Sequence, residues 1–196
     1  MKFEEGVTKM QAIDDKFEQI IMSNKGCAII FAGSGSDMEH IKKIGKSLQD
    51  YEVPYRVMIC SAHKQPGLLA DIIKSLNMVQ GSAAYIAVAG STDALSGTVS
   101  FNAINPVISC PPDALPDSPN QSCLANPPGS SNAYIARPEN VGRFVAQMYS
   151  GVNPKLRQKL ILNIADKINK LYDDNKSASN IIYDGTYDGG NENANK

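Results

Sequence analysis

Apolar residues along the chain alternate between short unbroken runs and stripes spaced three and four apart, a pattern that predicts strands interleaved with helices. The first run, residues 27–32, reads Cys-Ala-Ile-Ile-Phe-Ala and is apolar on both faces, as a buried parallel strand requires. Gly33-Ser-Gly-Ser-Asp37 follows it, then a helical stripe of Met38, Ile41, Ile44 or Gly45, Leu48 and Tyr51. The unit repeats. Residues 55–62 form a second run, and Pro66 opens a helix with Leu68, Leu69, Ile72, Ile73 and Leu76 on its buried face and Gly81 stopping it. Residues 83–90 form a third run, followed by the polar turn Ser91-Thr-Asp93 and a helix toward Asn102. Residues 106–110 and 133–136 supply a fourth and a short fifth strand. Pro138 opens a helix through Val141, Phe144, Val145 and Met148 that Gly151 ends. Pro154 starts a last helix with Leu156, Leu160, Ile164, Ile168 and Leu171 on one face, long enough to pack on another subunit.

Strands alternating with helices predict an α/β fold with a doubly wound parallel sheet and right-handed crossovers, its ligands at the carboxyl ends of the strands. The turns after the first three strands, 33–37, 61–64 and 90–93, should then meet at one edge. Ahead of the sheet, residues 1–24 place Phe3, Val7, Met10, Ile13, Phe17, Ile20 and Ile21 at helical spacing, an accessory helix that covers core or a neighbouring subunit. Residues 111–131 carry six prolines with several Asn and Ser, the composition of a long ordered loop. From Asp173 the chain turns to Asn, Asp, Gly and Ser, the composition of a weakly ordered tail with one sticky spot at Ile181-Ile-Tyr183. The expected organisation is an accessory helix over 1–24, one catalytic-size domain over 25–172 and a tail over 173–196.

Composition narrows the partners. The 196 residues suit one hydrophobic core, and 19 Lys and Arg against 20 Asp and Glu give no global field to attract nucleic acid or an anionic membrane. Any anion is bound locally. Cys27, Cys60, Cys110 and Cys123 lack C-x-x-C spacing and read as reduced thiols, not disulfides or zinc ligands. With no apolar leader or membrane-length run, a soluble cytoplasmic protein is expected.

Chemistry concentrates at the strand ends. Gly33 and Gly35 permit a tight turn, Ser36 or Asp37 can cap the following helix, and free N–H groups with the helix dipole favour an anion. His63 follows a buried strand directly, and an imidazole there could carry a proton to or from a substrate carbon; the alternative is a satisfied turn histidine. Lys64 completes a phosphate cradle or is simply solvated, and Asp37 accepts from ribose hydroxyls or is only a cap. His40 reads as a surface residue. There is no Walker lysine, no G-x-G-x-x-G and no metal-ligand cluster.

The motifs taken in order are more specific than any one of them. Gly33-Ser-Gly-Ser-Asp37, Ser61-Ala-His-Lys64, Ala87-Val-Ala-Gly90 with Ala94-Leu-Ser-Gly97, Pro106-Val-Ile-Ser-Cys-Pro-Pro112 and Pro127-Pro-Gly129 resemble the aminoimidazole ribonucleotide carboxylase family of purine biosynthesis, which includes the carboxyaminoimidazole ribonucleotide mutases. The resemblance covers residues 27–172. Lys64 after Ser-Ala-His and the Ile-Ser-Cys-Pro-Pro run look like the carbon-dioxide-using branch, since the mutases usually carry arginine at that position. It implies a three-layer flavodoxin-like sandwich, a homo-octamer with the C-terminal helix on a neighbour, and no metal, biotin, ATP or other cofactor. Ser34, Ser36, Ser61 and Lys64 would hold the phosphate and Asp37 the ribose, with Gly33, Ala62, Gly90, Ser91 and Leu95 completing the substrate site. The ring carbon beside the amine would attack carbon dioxide and His63 would take the ring proton.

Two basic positions of the family are absent. Ser91-Thr92-Asp93 stands where the carboxylases have Arg-Ser-Asn, and Ser122-Cys-Leu-Ala125 where they have Ser-Ser-Leu-Arg. The loop after Pro112 is shorter, and the chain has no tryptophan. These departures keep open a catalytically impaired relative that binds the ribonucleotide without turnover, and the mutase acting on the N-carboxylated isomer. An unrelated flavodoxin-like module for flavin or a phosphorylated partner stands further off.

Overall fold

The computed structural model describes residues 14–115, 118–179, 181 and 185. Five parallel strands lie in the order β2-β1-β3-β4-β5: β1 Ala28–Ala32, β2 Tyr55–Ile59, β3 Ala84–Val88, β4 Val107–Ser109 and β5 Ala133–Tyr134. Between and beside them run α1 Asp15–Met22, α2 Met38–Asp50, α3 Pro66–Asn77, α4 Ala94–Asn102, α5 Val141–Tyr149 and α6 Pro154–Ala178. The chain leaves β1 toward β2 on one side and returns to β3 on the other, so the strand order reverses at β1.

β1 and β3 are buried at every position, which is why both are unbroken apolar runs. The two-residue period of a strand sorts their side chains into two layers. Ala28, Ile30, Ala32, Ile86 and Val88 pack with Ile44 and Leu48 of α2, Val141 and Val145 of α5, and Leu156 and Leu160 at the start of α6. Ile29, Phe31, Tyr85 and Ala87 pack with Ile21 of α1, Leu69 and Ile73 of α3, and Val99 of α4. Phe31 and Tyr85 meet edge to face, with ring centroids 5.6 Å apart. The result is the expected three-layer α/β sandwich.

Several expectations need correction. The first half of the N-terminal stripe falls outside the described residues, and the helix observed is α1, capped by the Asp14 side chain on the Phe17 N–H at 2.9 Å. α3 ends at Asn77, well before Gly81. Gly81 serves a different purpose: a Cβ there would stand 2.4 Å from the Ile21 carbonyl oxygen, so its lack of a side chain lets α1 approach. Met38 is exposed, because α2 begins at the open end of the sheet. α6 runs on to Ala178, past the expected end of the domain. Its residues from Ile161 onward form a separate unit, in which Ile164, Ile168 and Leu171 are exposed; of the predicted stripe only Leu156 and Leu160, which precede that unit, are buried.

α2 and α5 approach almost backbone to backbone. A Cβ on Gly142 would lie 2.0 Å from the Ser47 carbonyl oxygen. Ser47 fills the gap, its Oγ donating to the Glu139 carbonyl at 2.7 Å and accepting from the Gly142 N–H at 2.8 Å. Gly142→Ala should therefore push the helices apart and destabilise the protein by about 3 kcal/mol. Gly151→Ala, where a Cβ meets nothing within 4 Å, should stay within about 0.5 kcal/mol. Denaturant titration of both variants checks the contrast, and equal losses would contradict the packing account.

Candidate functional site

Ala32 pairs with both Ile59 and Val88, so β1, β2 and β3 end at one level and their turns leave the sheet side by side. Gly33 N–H donates to the Val88 carbonyl at 3.0 Å and Cys60 N–H to the Ala32 carbonyl at 2.9 Å, extending the ladder just past the strand ends. The three turns enclose a cleft of about 290 Å³. Every residue anticipated for the substrate site lines it: Gly33, Ser34, Ser36 and Asp37 from the first turn, Ser61, Ala62, His63 and Lys64 from the second, and Gly90, Ser91 and Leu95 from the third. A larger hollow of about 590 Å³ lies along β4 and α5, but no titratable side chain lines it.

The first turn is organised by Ser34. With extended backbone, it accepts the Ser36 N–H at 3.1 Å and the Ser36 hydroxyl at 2.8 Å, closing a 3-10 turn over Gly35–Asp37 that leads into α2. The cap is thus Ser34, not Ser36 or Asp37; Asp37 stands at the N-cap position of α2 without a side-chain cap bond. Its carboxylate is left facing the cleft. A Cβ on Gly35 would meet no protein atom within 4 Å, so that side of the turn is open.

The second turn is held by Ser61, whose carbonyl accepts the Gln65 N–H at 2.8 Å and whose Oγ accepts the Lys64 N–H at 3.3 Å. His63 and Lys64 are exposed. Neither ring nitrogen of His63 has a hydrogen-bond partner among the described residues, so no described protein group holds the imidazole in the turn. His40 behaves oppositely. It is half-buried, with Nε2 3.0 Å from the Cys110 carbonyl oxygen and 3.4 Å from the Cys110 Sγ, and burial lowers its pKa. The surface placement expected for it is wrong because its position on α2 faces the start of the loop after β4.

The third turn is clamped from outside. Ser91 has a left-handed backbone with φ of 57°, uncommon for a residue with a Cβ. Its N–H donates to Asp113 Oδ2 at 2.6 Å, and the Asn120 amide donates to the Ser91 carbonyl at 3.0 Å and to Asp113 Oδ1 at 3.1 Å. Desolvation raises the Asp113 pKa, but the Ser91 N–H and the Asn120 amide outweigh it and hold the carboxyl below its ordinary range. Asp93 is turned away from the cleft: it is 6% exposed and caps α4 by accepting the Ser96 N–H at 2.9 Å, with Oδ2 unpartnered. Asp113 and Asn120 were not anticipated; both belong to the proline-rich loop, and only the fold brings them to Ser91.

Among the described residues no cluster of three or more His, Cys, Asp or Glu is placed to hold a metal ion. All four cysteines are free and buried, and burial pushes the Cys27 and Cys110 thiols up to about 12 and the Cys123 thiol to about 11. They are poor nucleophiles. No helix among the described residues is long and apolar enough to cross a membrane.

Known proteins show the family to which this fold and sequence belong. Residues 27–170 match the family described as AIR carboxylase. Phosphoribosylaminoimidazole carboxylase of Treponema denticola is 30% identical over 148 residues, covering 74% of this chain and 93% of that protein. The enzyme of the same name from Archaeoglobus fulgidus is 31% identical over 147 residues, covering 74% and 81%. N5-carboxyaminoimidazole ribonucleotide mutase of Methanocaldococcus jannaschii is 30% identical over 136 residues, covering 67% and 84%. The crystal structure of Treponema denticola PurE superposes with a TM-score of 0.72 at 27% identity, over 78% of this chain and 98% of that one. The fold, the converging strand-end turns and these relatives together establish that the chain belongs to the AIR carboxylase family, enzymes of purine biosynthesis.

Proposed function

We propose that the protein carboxylates aminoimidazole ribonucleotide with carbon dioxide, giving carboxyaminoimidazole ribonucleotide. The observation that carries this reading is His63, an imidazole without a hydrogen-bond partner among the described residues, next to Lys64 in a cleft walled by serines. Lys64 and the hydroxyls of Ser34, Ser36 and Ser61 bind the phosphate, and Asp37 accepts from the ribose hydroxyls. The start of α2 adds its dipole to the phosphate side. The amine makes the adjacent ring carbon an enamine nucleophile. That carbon attacks carbon dioxide, forming the new carbon–carbon bond as a carbon–oxygen π pair moves to oxygen. His63 then removes the ring proton, restoring the aromatic imidazole, and returns it in the reverse direction. The enzyme contributes positioning, water exclusion and proton transfer.

A second reading has its own observation. Among the described residues no cationic side chain lines the third turn, where Ser91 is bound to an acid, which favours a relative that binds the ribonucleotide without turnover. The likeness to a mutase supports a third, with the N-carboxylated isomer as substrate. We also propose assembly into a homo-oligomer through α6, whose Ile164, Ile168 and Leu171 are exposed in the single chain. Four buried reduced thiols fit the cytoplasm.

A spectrophotometric assay with aminoimidazole ribonucleotide and bicarbonate tests the reading directly; tight binding without turnover would favour the second one. His63→Asn should lower kcat by at least about 100-fold while leaving ribonucleotide affinity within about tenfold, and surviving activity would refute the assignment. Lys64→Ala should weaken binding by roughly 10- to 100-fold, the loss of one charge-assisted contact; an unchanged dissociation constant contradicts the phosphate role. For assembly, Ile164→Glu with Ile168→Glu should reduce the mass measured by light scattering. If the parent protein is already a monomer, the oligomer proposal fails.

A further inference from the structure

The strand order sets a sequence of charges across the cleft. Lys64 follows β2, the Gly33–Asp37 turn follows β1, and Ser91 follows β3. Lys64 and Ser91 therefore leave the sheet two strand spacings apart, about 10 Å. Asp113 follows β4, one strand further in the same direction. It reaches back to the cleft wall: its Oδ2 is 2.6 Å from the Ser91 nitrogen, and a Cβ on Gly90 would stand 3.1 Å from the same oxygen. Gly90 and Ser91 are that wall.

Among the described residues no cationic side chain lines the β3 side of the cleft; His40 interacts with Asp113 from behind, but burial favours its neutral form. The residues lining that side, Ala89, Gly90, Ser91, Thr92, Ala94 and Leu95, are all uncharged. Ala125, in the same loop as Asp113 and Asn120, is an exposed alanine. Asp93, buried beneath the turn, is a second acidic side chain nearby. A ribonucleotide held by its phosphate at Lys64 and by its ribose at Asp37 extends its base toward Ser91 and so toward Asp113.

We propose that Asp113 is a specificity-determining residue, selecting ribonucleotides whose base is uncharged at the β3 side over those that carry a carboxylate there. The inference rests on the ribonucleotide reading of the cleft. Asp113 does not itself line the cleft; its carboxylate lies behind Gly90 and Ser91, and like charges repel through that thin wall, which carries no cation. Asp113 is exposed, so solvent and salt screen it and the discrimination is modest. One consequence concerns the reaction: a site that binds the uncarboxylated form more tightly shifts the bound equilibrium toward decarboxylation relative to solution.

The test uses two imidazole ribonucleotides of matched shape, the 4-carboxylate and the 4-carboxamide, both without the ring amine so that neither can act as an enamine and turn over. Calorimetry on the full chain should show the carboxamide binding about three- to tenfold more tightly. Asp113→Asn keeps an oxygen for the Ser91 N–H while removing the charge. It should tighten carboxylate binding to within about twofold of the carboxamide and leave the carboxamide unchanged. A purely structural role would instead weaken both ligands alike and overturn the proposal, as would a parent protein that prefers the carboxylate. Should the variant fail to fold, salt decides: the preference of the parent protein should shrink between low and high ionic strength, and a constant ratio refutes the charge mechanism. If neither ribonucleotide binds, or the dephosphorylated nucleosides bind equally well, the ribonucleotide reading fails and this inference falls with it.

Discussion

Ala32 lies opposite both Ile59 and Val88, and the cleft depends on that alignment. Sliding β1 by one residue would move its turn by about 3.3 Å along the strand and exchange the faces of Ile29, Ile30 and Phe31. Neither face tolerates the exchange. Ile30 is packed against α2 and α5, while Phe31 is packed edge-on to Tyr85 in the opposite layer. The hydrophobic sandwich thus sets the geometry of the polar site, because the register that buries those side chains also brings Ser34, His63 and Ser91 to one rim. Small residues just past the strand ends, Gly33, Ala89 and Gly90, leave the space that the cleft occupies.

Much of this was legible in the sequence because it depends on local pattern. Unbroken apolar runs mark strands buried on both faces, and the stripe at Ile41, Ile44 and Leu48 marks the single face that α2 buries. The errors arise where an apolar residue has no layer to enter. Periodicity continues smoothly from Leu160 to Leu171, yet burial stops after Leu160, since a stripe records what a helix can cover and not what covers it. Gly81 misled for a related reason. A glycine after a helix commonly ends it, whereas this one accommodates the Ile21 carbonyl of a helix far away in sequence.

The site divides in the same way. Ser34, Asp37, His63 and Lys64 each lie within five residues of a strand end, so their convergence follows from the topology alone. The clamp on Ser91 does not. Asp113 and Asn120 are 22 and 29 residues away along the chain, in a loop whose prolines predict irregular structure without predicting its path. His40 was misjudged because its bond to the Cys110 carbonyl spans 70 residues. That bond ties α2 to the segment leading into Asp113, so the first and third walls of the cleft are connected through it.

The unequal charge across the cleft also bears on how binding energy reaches the reacting carbon. On the proposed reading, charge-assisted contacts to phosphate, each worth about 1.5–3 kcal/mol net, lie on the Lys64 side, away from the bond that forms. Neutral contacts of about 1 kcal/mol are all that the third turn offers the base. Affinity of that kind does not lower the chemical barrier by stabilising ground and transition states equally; it helps only by restricting the orientation of the base. His63 is adjacent to Lys64 on a turn whose backbone is fixed by two bonds to Ser61. On the proposed reading, the group that anchors the phosphate and the group that moves the proton are therefore neighbours on one short turn. Orientation gained at the phosphate would then reach the imidazole through a single peptide link.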